Sequence, residues 1–254
     1  MRNNSKHFVI FITIVSFISC NNSSDRLSSI SGKEINITDS IKGVDSLKKF
    51  IAPYREHIEE VLDAPLAYNP TYLNKNDGKL NSSIGNLMAD VAYAESNPIF
   101  NKRTGKNIDF VLLNHGGIRA VMSKGNVSRR TAYEIMPFEN QIWILELSAD
   151  KIKELVAYLA KNKTAHPISK QAQLVLNANG TVKSFTVNGK PILESETYFV
   201  ATSDFLANGG DHMDFFKDPI SKTDINYLLR NELIDYFEKI DTIKAGIDNR
   251  FIKL

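Results

Sequence analysis

The chain has 254 residues, with 31 Lys and Arg against 29 Asp and Glu, and 43% of its residues are hydrophobic. This balance is typical of a globular protein and excludes disordered, collagen-like and coiled-coil chains. Residues 1–19 contain two bases and no acid, so the chain from Cys20 onward is neutral. A neutral body excludes broad electrostatic attraction to nucleic acid, and a single Cys excludes a disulfide framework or a multi-cysteine zinc site.

The N-terminal segment has the organisation of an export signal. Two bases precede an apolar stretch over residues 8–18, which is too short to span a bilayer but suits the core of a signal peptide. The stretch ends in a Ser followed by Cys20, which resembles a bacterial lipoprotein processing site, where the Cys becomes the lipidated first residue. A plain secretory signal is the alternative. We expect a signal peptide over 1–19, a flexible tether over 20–44, and a lipid-anchored body at the periplasmic face or surface of a bacterial membrane.

Hydrophobic periodicity and turn residues predict the order of elements in the body. The predicted elements are a helix over 45–63 interrupted at Pro53, a helix opening at Asn81, a buried strand over 108–113, a short helix over 131–135, a strand over 141–147, a helix over 150–160, a hairpin of 174–176 and 182–187, a buried strand over 198–202, and a last helix over 224–240. Strands and helices mix without strict alternation. The pattern predicts a single α+β domain over 45–254, with a mixed β-sheet and packed helices.

Three polar loops containing glycine or proline follow these elements, and binding sites commonly occupy such loops. Their sequences are Asn114-His-Gly-Gly-Ile-Arg119, Pro137-Phe-Glu-Asn140 and Asp204-Phe-Leu-Ala-Asn-Gly-Gly-Asp211. Together with the helix start Ile84-Gly-Asn-Leu-Met-Ala-Asp90, they resemble in order and spacing the C-terminal domain of bacterial and animal 5'-nucleotidases and UDP-sugar hydrolases. The resemblance covers the chain from residue 45 to the C-terminus.

The resemblance implies that the chain binds a nucleotide or nucleoside. Phe138 and Phe205 stand where similar proteins clamp the base between two rings, and such stacking contributes about 1–3 kcal/mol per base. Asp211 is implied in ribose binding, since a carboxylate accepts hydrogen bonds from both hydroxyls of a diol. The alternatives are core positions for the two phenylalanines and a local turn hydrogen bond for Asp211.

Three further polar residues are implied in the same site. Arg119 is expected to bind phosphate, because its planar guanidinium pairs with phosphate oxygens, and a surface salt bridge is the alternative. Asn114 and Asn140 offer both a donor and an acceptor to a base edge or a phosphate, or instead cap their own loops.

The chain departs from the family pattern at three positions. Similar enzymes usually carry a further Arg within or just before the helix start, where this chain has Asn86, so we expect a weaker phosphate cradle. His115 and His212 replace glycines that are common in the family's loops. Each imidazole either adds a donor and a pH-dependent charge near the ligand or is solvated.

Full-length members of the resembling family hydrolyse phosphate esters in a separate N-terminal metallophosphoesterase domain. The signatures of that domain are Asp-x-His, Gly-Asp-x-x-Asp, Gly-Asn-His-Asp/Glu and Gly-His-x-His, and we expect none of them in this chain. It also lacks the Gly-x-Ser-x-Gly nucleophile motif. We therefore expect no catalytic residue and no metal or other cofactor on this chain, with a divalent metal held by a partner.

Three functions are consistent with these residues. The first is the substrate-binding half of a split 5'-nucleotidase-type phosphohydrolase in extracytoplasmic nucleotide catabolism, which acts as a hydrolase only with a separate metallophosphoesterase chain. The second is a stand-alone surface lipoprotein that captures nucleosides or nucleotides without catalysis. The third is a degenerate domain that now makes protein contacts. None of the three involves nucleic acid.

Overall fold

The computed structural model describes residues 27–38 and 40–254. The expected signal peptide and the expected lipidation site at Cys20 lie outside the described residues. The chain divides into two units, Met1–Phe50 and Ile51–Leu254. Within the described part, no helix is both long enough and apolar enough to cross a bilayer.

The described residues form six α-helices. They are α1 (Asp45–Asp63), α2 (Ser83–Thr104), α3 (Arg129–Ile135), α4 (Ala149–Asn162), α5 (Asp204–Ala207) and α6 (Leu229–Lys239). Serine side chains cap several of them; for example, the Ser82 hydroxyl accepts a hydrogen bond from the Gly85 amide and the Ser148 hydroxyl accepts one from the Lys151 amide. The predicted interruption at Pro53 is wrong: α1 continues through it, because one proline removes one donor while the neighbouring turns keep theirs.

Ten strands lie in the described residues and form three sheets. They are β1 (Pro65–Asn69), β2 (Phe110–Val111), β3 (Gly125–Ser128), β4 (Gln141–Ser148), β5 (Ala172–Leu176), β6 (Val182–Val187), β7 (Lys190–Pro191), β8 (Thr197–Ser203), β9 (Ser221–Leu228) and β10 (Phe251–Lys253). The strand orders are β1-β3, β10-β5-β6-β7 and β2-β8-β4-β9. β2 with β8 and β10 with β5 pair in parallel, and the other pairs are antiparallel. The predicted α+β class with mixed sheets is confirmed.

In the β2-β8-β4-β9 sheet, the central strands β8 and β4 carry buried side chains on both faces. Ile142 and Ile144 of β4 belong to one apolar cluster with α2 and α6, whereas Leu145 and Leu147 belong to a second cluster with α4 and the β5-β6 hairpin. Successive side chains of a strand point to opposite faces, so residues two apart share a cluster. This central sheet fixes the loops that leave its strand ends.

The predicted last helix over 224–240 is wrong in its first part. β9 occupies Ser221–Leu228 and pairs antiparallel with β4, and only Leu229–Lys239 is helical. The register shifts between Gln141 and Trp143, and Asn226 has a φ of 55°. A bulge of this kind breaks the alternation that would have identified a strand from the sequence.

Arg250 ties the C-terminal segment to the body. It is buried, and its guanidinium donates to both carboxylate oxygens of Asp90 on α2, each at 3.0 Å, and to the main-chain oxygen of Ile168 at 2.7 Å. Charge-assisted, two-point pairing of this kind fixes orientation as well as distance. The segment from β9 to β10 is therefore an integral part of the domain.

Candidate functional site

The first loop of the candidate site follows β2 and makes a tight turn. The main-chain amide of Gly117 donates to the oxygen of Asn114 at 3.2 Å, which closes a short 3-10 turn over His115–Gly117. A Cβ on Gly117 would lie 2.8 Å from Oδ1 of Asn114, so the glycine leaves room for that side chain to pack against the turn. The turn thereby orients Asn114.

The second loop follows α3 and carries Phe138 and Asn140. The start of α6 holds it from behind: the Leu229 amide donates to the main-chain oxygen of Asn140 at 3.0 Å. The side chain of Arg230 donates to the main-chain oxygen of Phe138 at 3.3 Å and to the Glu139 carboxylate at 2.5 Å. The sequence does not indicate this role for Arg230, because its stretch reads as part of one long helix over 224–240.

The third loop connects β8 and α5 to the Gly-Gly-Asp turn. Gly209 has a φ of 87°, which glycine adopts at little cost, and Asp211 has a φ of 53°. A Cβ on Gly210 would lie 2.5 Å from the ring of Phe205, so the ring packs directly on the turn. The Tyr158 hydroxyl donates to the main-chain oxygen of Asp211 at 2.7 Å and fixes the far end of the turn.

The three loops surround one cavity of about 420 Å³. Its lining contains all six residues expected to bind substrate, together with two glycines and one acid: Asn114, Gly116, Gly117, Arg119, Phe138, Glu139, Asn140, Phe205 and Asp211. Phe138 is 42% exposed and Phe205 is 44% exposed, so neither is a core residue. Two accessible aromatic rings in one cavity are suited to stacking a planar ring, although the stacking itself stays a prediction.

Of the three charged side chains in the cavity lining, Glu139 pairs with Arg230, whereas Arg119 and Asp211 form no ion pair among the described residues. Across the described residues, no carboxylate lies within salt-bridge distance of Arg119, and no cation lies within that distance of Asp211. The guanidinium carbon of Arg119 lies 5.7 Å from the ring centre of Phe138, and its Nη1 reaches the Gly116 oxygen at 3.5 Å. The surface salt bridge considered for Arg119 does not form, and its charge is available to an anionic ligand.

Neither His115 nor His212 lines the cavity. The main-chain amide of His115 instead donates to Nδ1 of His166 at 3.2 Å. The pKa of His166 is lowered to about 4, chiefly by burial, with nearby Asp211 opposing the shift and His115 adding to it. A neutral His166 with its Nδ1 as acceptor therefore supports the first loop, a role that the sequence did not indicate.

Contrary to the prediction from the sequence, one metal-binding signature of the metallophosphoesterase domain occurs in this chain. Gly210 to Asp214 reads Gly-Asp-x-x-Asp. The structure places this string in the third loop, where Asp214 forms an ion pair with Lys217 at 2.6 Å. In the part of the chain that the structure describes, no group of three or more His, Cys, Asp or Glu side chains is arranged to hold a metal ion.

Comparison with known proteins identifies relatives of the whole domain. The trifunctional nucleotide phosphoesterase protein YfkN of Bacillus subtilis is 24% identical over 202 residues, which are 71% of this chain and 13% of that protein. Protein UshA of Yersinia enterocolitica is 23% identical over 217 residues, which are 84% of this chain and 38% of that protein. The chain thus spans well under half the length of these curated relatives.

Solved structures share the fold. The 5'-nucleotidase precursor from Thermus thermophilus superposes with a TM-score of 0.68 at 21% identity, covering 83% of this chain and 43% of that one. The NAD nucleotidase of Haemophilus influenzae superposes with a TM-score of 0.62 at 19% identity, covering 83% and 42%. The model of the family described as 5'-nucleotidase, C-terminal domain, matches residues 63–218, which is more than half of the sequence. The chain therefore belongs to the 5'-nucleotidase C-terminal domain family.

Proposed function

We propose that this domain is the nucleotide-binding, substrate-specificity half of a split 5'-nucleotidase-type phosphohydrolase. In this proposal the base lies between Phe138 and Phe205, the Asp211 carboxylate binds the ribose hydroxyls, and Arg119 faces the phosphate. Asn114 and Asn140 contact the base edge or the phosphate.

The observation that supports the proposal best is the shared cavity. Both accessible rings, one unpaired guanidinium and one unpaired carboxylate line the same 420 Å³ of space. A nucleotide is a planar aromatic base, a diol and an anion in a fixed order, so each group has a chemical counterpart here. Stacking supplies about 1–3 kcal/mol per base, whereas the two charged groups chiefly set orientation.

In this proposal, hydrolysis of the phosphate ester is catalysed by a partner chain. We propose a separate metallophosphoesterase that holds the divalent metal ions, polarises the phosphate and generates hydroxide. The relatives named as 5'-nucleotidases and nucleotide phosphoesterases support this because each is much longer than the segment that this chain matches. The role of this domain would then be positioning, which lowers a reaction barrier by several kcal/mol when the reacting atoms are held in line.

The proposed place of action is a bacterial membrane surface outside the cytoplasm. A lipidated Cys20 followed by a polar tether would hold the domain there, with acyl chains that contribute about 0.8 kcal/mol per buried CH₂.

The first experiment measures binding. Calorimetry with AMP, adenosine and UDP should detect binding to the wild type, and Phe205→Ala should weaken it by at least about tenfold through loss of stacking. Tyr72→Ala removes an exposed ring that does not line the cavity and serves as the matched control. Absence of binding, or equal affinity in Phe205→Ala and the wild type, contradicts the proposal.

The second experiment tests the split enzyme. Phosphate release from AMP and UDP-glucose is assayed with Mn²⁺ or Zn²⁺, with and without a co-exported metallophosphoesterase. Stimulation by this chain that is lost in Phe205→Ala supports the proposal. Binding without stimulation identifies a nucleotide-capturing lipoprotein instead. EDTA-sensitive release by the isolated chain contradicts the expectation that it holds no catalytic metal.

A further inference from the structure

The side-chain amide of Asn140 has a fixed direction in the cavity wall. Its Nδ2 donates to Oδ1 of Asp204 at 2.8 Å, and the same carboxylate oxygen accepts from the main-chain amide of Phe205 at 2.8 Å. A carboxylate only accepts hydrogen bonds, so the nitrogen end of the amide must face it. Asp204 therefore excludes the flipped orientation of Asn140.

The carbonyl oxygen is the end of that amide left for a ligand. Asn140 lines the cavity whereas Asp204 does not, so the bond to Asp204 turns Nδ2 away from the cavity. Oδ1 of Asn140 accepts no hydrogen bond from the described residues. It is not one of the buried side-chain atoms that lack a partner, so it is accessible to a ligand. The backbone at Asn140 is held as well, by the bond from the Leu229 amide. The wall thus presents a pre-oriented acceptor.

From this geometry we propose that Asp204 is a specificity-determining positioning residue, and that the site selects bases with an amine on C6 of a purine or C4 of a pyrimidine, namely adenine and cytosine. This inference rests on the proposed nucleotide-binding function. The amine donates to Oδ1 of Asn140, whereas a base that offers nothing at that position leaves the oxygen without a partner once the ligand has displaced water. A site built to hydrogen-bond one group rejects the analogue that lacks it.

Asp204 matters because an amide alone does not discriminate in this way. An Asn side chain presents a donor or an acceptor according to its rotation, and the two orientations differ little in shape. With Asp204 replaced by Ala, no carboxylate accepts from Nδ2, so both orientations of Asn140 become available. Selectivity, more than overall affinity, is the property that Asp204 controls.

The test compares adenosine with purine riboside, which lacks only the 6-amino group, by calorimetry on the full chain. Wild type should bind adenosine tighter by at least about tenfold. Asp204→Ala should reduce this ratio to below about threefold while affinity for purine riboside stays within about threefold of wild type. Asn208→Ala, an exposed amide that donates to the Asp204 main-chain oxygen, is the matched control and should keep the wild-type ratio.

The outcomes separate this inference from the proposed function. A wild type that binds both nucleosides equally overturns the inference and leaves nucleoside binding in place. A wild type that binds neither overturns both. A full ratio in Asp204→Ala shows that Asp204 does not orient the amide and overturns the inference. If Asp204→Ala does not fold, Asn140→Ala removes the acceptor itself, and a ratio that survives in that variant contradicts the inference.

Discussion

The guanidinium of Arg230 donates to the main-chain oxygen of Phe138 across 3.3 Å, which joins helix α6 to one ring of the candidate site. Arg230 is only 4% exposed, and its guanidinium carbon lies 4.2 Å from the ring centre of Tyr133. The same side chain bonds the oxygen of Pro137 at 3.2 Å. The position of the ring is thus set by a residue far along the chain that does not itself line the cavity.

Replacing this support should weaken nucleotide binding. In Arg230→Met, two main-chain oxygens lose their donor, so we expect a loss of about 1–3 kcal/mol in unfolding free energy and about tenfold weaker AMP binding. Urea melts and calorimetry measure the two quantities. Arg129→Ala, which breaks a solvent-exposed pair with Glu238, should cost at most about 1 kcal/mol and leave binding unchanged. Unchanged affinity in Arg230→Met would mean that Phe138 is held by other contacts.

The close packing of Phe205 on the glycine turn gives a steric prediction. In Gly210→Ala the new methyl group would lie 2.5 Å from the ring, so the ring must move and the cavity wall with it. We expect overpacking to cost about 1–3 kcal/mol in stability, with clearly reduced adenosine affinity. Gly246→Ala is the control, because a Cβ there meets no atom within 4 Å. Equal affinities in the two variants would show that the ring position is unimportant.

The buried His166 predicts a pH dependence of stability. Its pKa in the folded protein is about 4, because burial disfavours the protonated ring, whereas an unfolded His titrates near pH 6.5. Between these values the unfolded chain binds a proton that the folded protein does not, so stability falls as the pH falls. From pH 7.5 to 5 the expected loss is about 2 kcal/mol.

His166→Asn isolates that contribution. Asn can still accept the hydrogen bond from the His115 amide but does not titrate, so urea melts at pH 7.5 and 5 should show a smaller decline than in the wild type. Parallel declines in the two proteins would rule out a buried neutral His166 as the source.

The proposed lipid anchor at Cys20 predicts a change in partitioning. Cys20→Ala should move the protein from the detergent phase to the aqueous phase of a Triton X-114 separation and abolish incorporation of labelled palmitate, because the acylated side chain is gone. Ser23→Ala, three residues later, should behave as wild type. If Cys20→Ala changes nothing, the N-terminal segment acts as a plain secretory signal.

Local signals in the sequence predict much of the fold, whereas the candidate site is predicted by the family resemblance. Ser82 and Ser148 cap their helices as their position before an apolar periodicity indicates. Phe138, Phe205 and Asp211 line one cavity although nothing in their spacing requires it; the family resemblance brought them together. Their binding roles stay predictions until a ligand is measured.

The features that the sequence did not reveal depend on long-range pairing. β9 is a strand because β4 offers it an edge, and its bulge conceals the alternation. Arg230 and His166 act on loops distant in the chain, and a lone Arg or His in sequence does not indicate what it will contact. The orientation of Asn140 depends in the same way on Asp204, 64 positions later.

The integration of the C-terminal segment has a practical consequence for how the domain can be divided. The family match ends at residue 218, yet β9, α6 and β10 come later in the chain. Arg250, whose guanidinium binds the Asp90 carboxylate, also lies beyond the match. In a fragment that ends at the matched boundary, β4 would become an edge strand with unpaired backbone amides and carbonyls, which promotes aggregation. Such a fragment would keep every cavity-lining residue but lose Leu229 and Arg230, which hold the second loop in place. Failure of the fragment to bind a nucleotide would therefore say nothing about the intact protein.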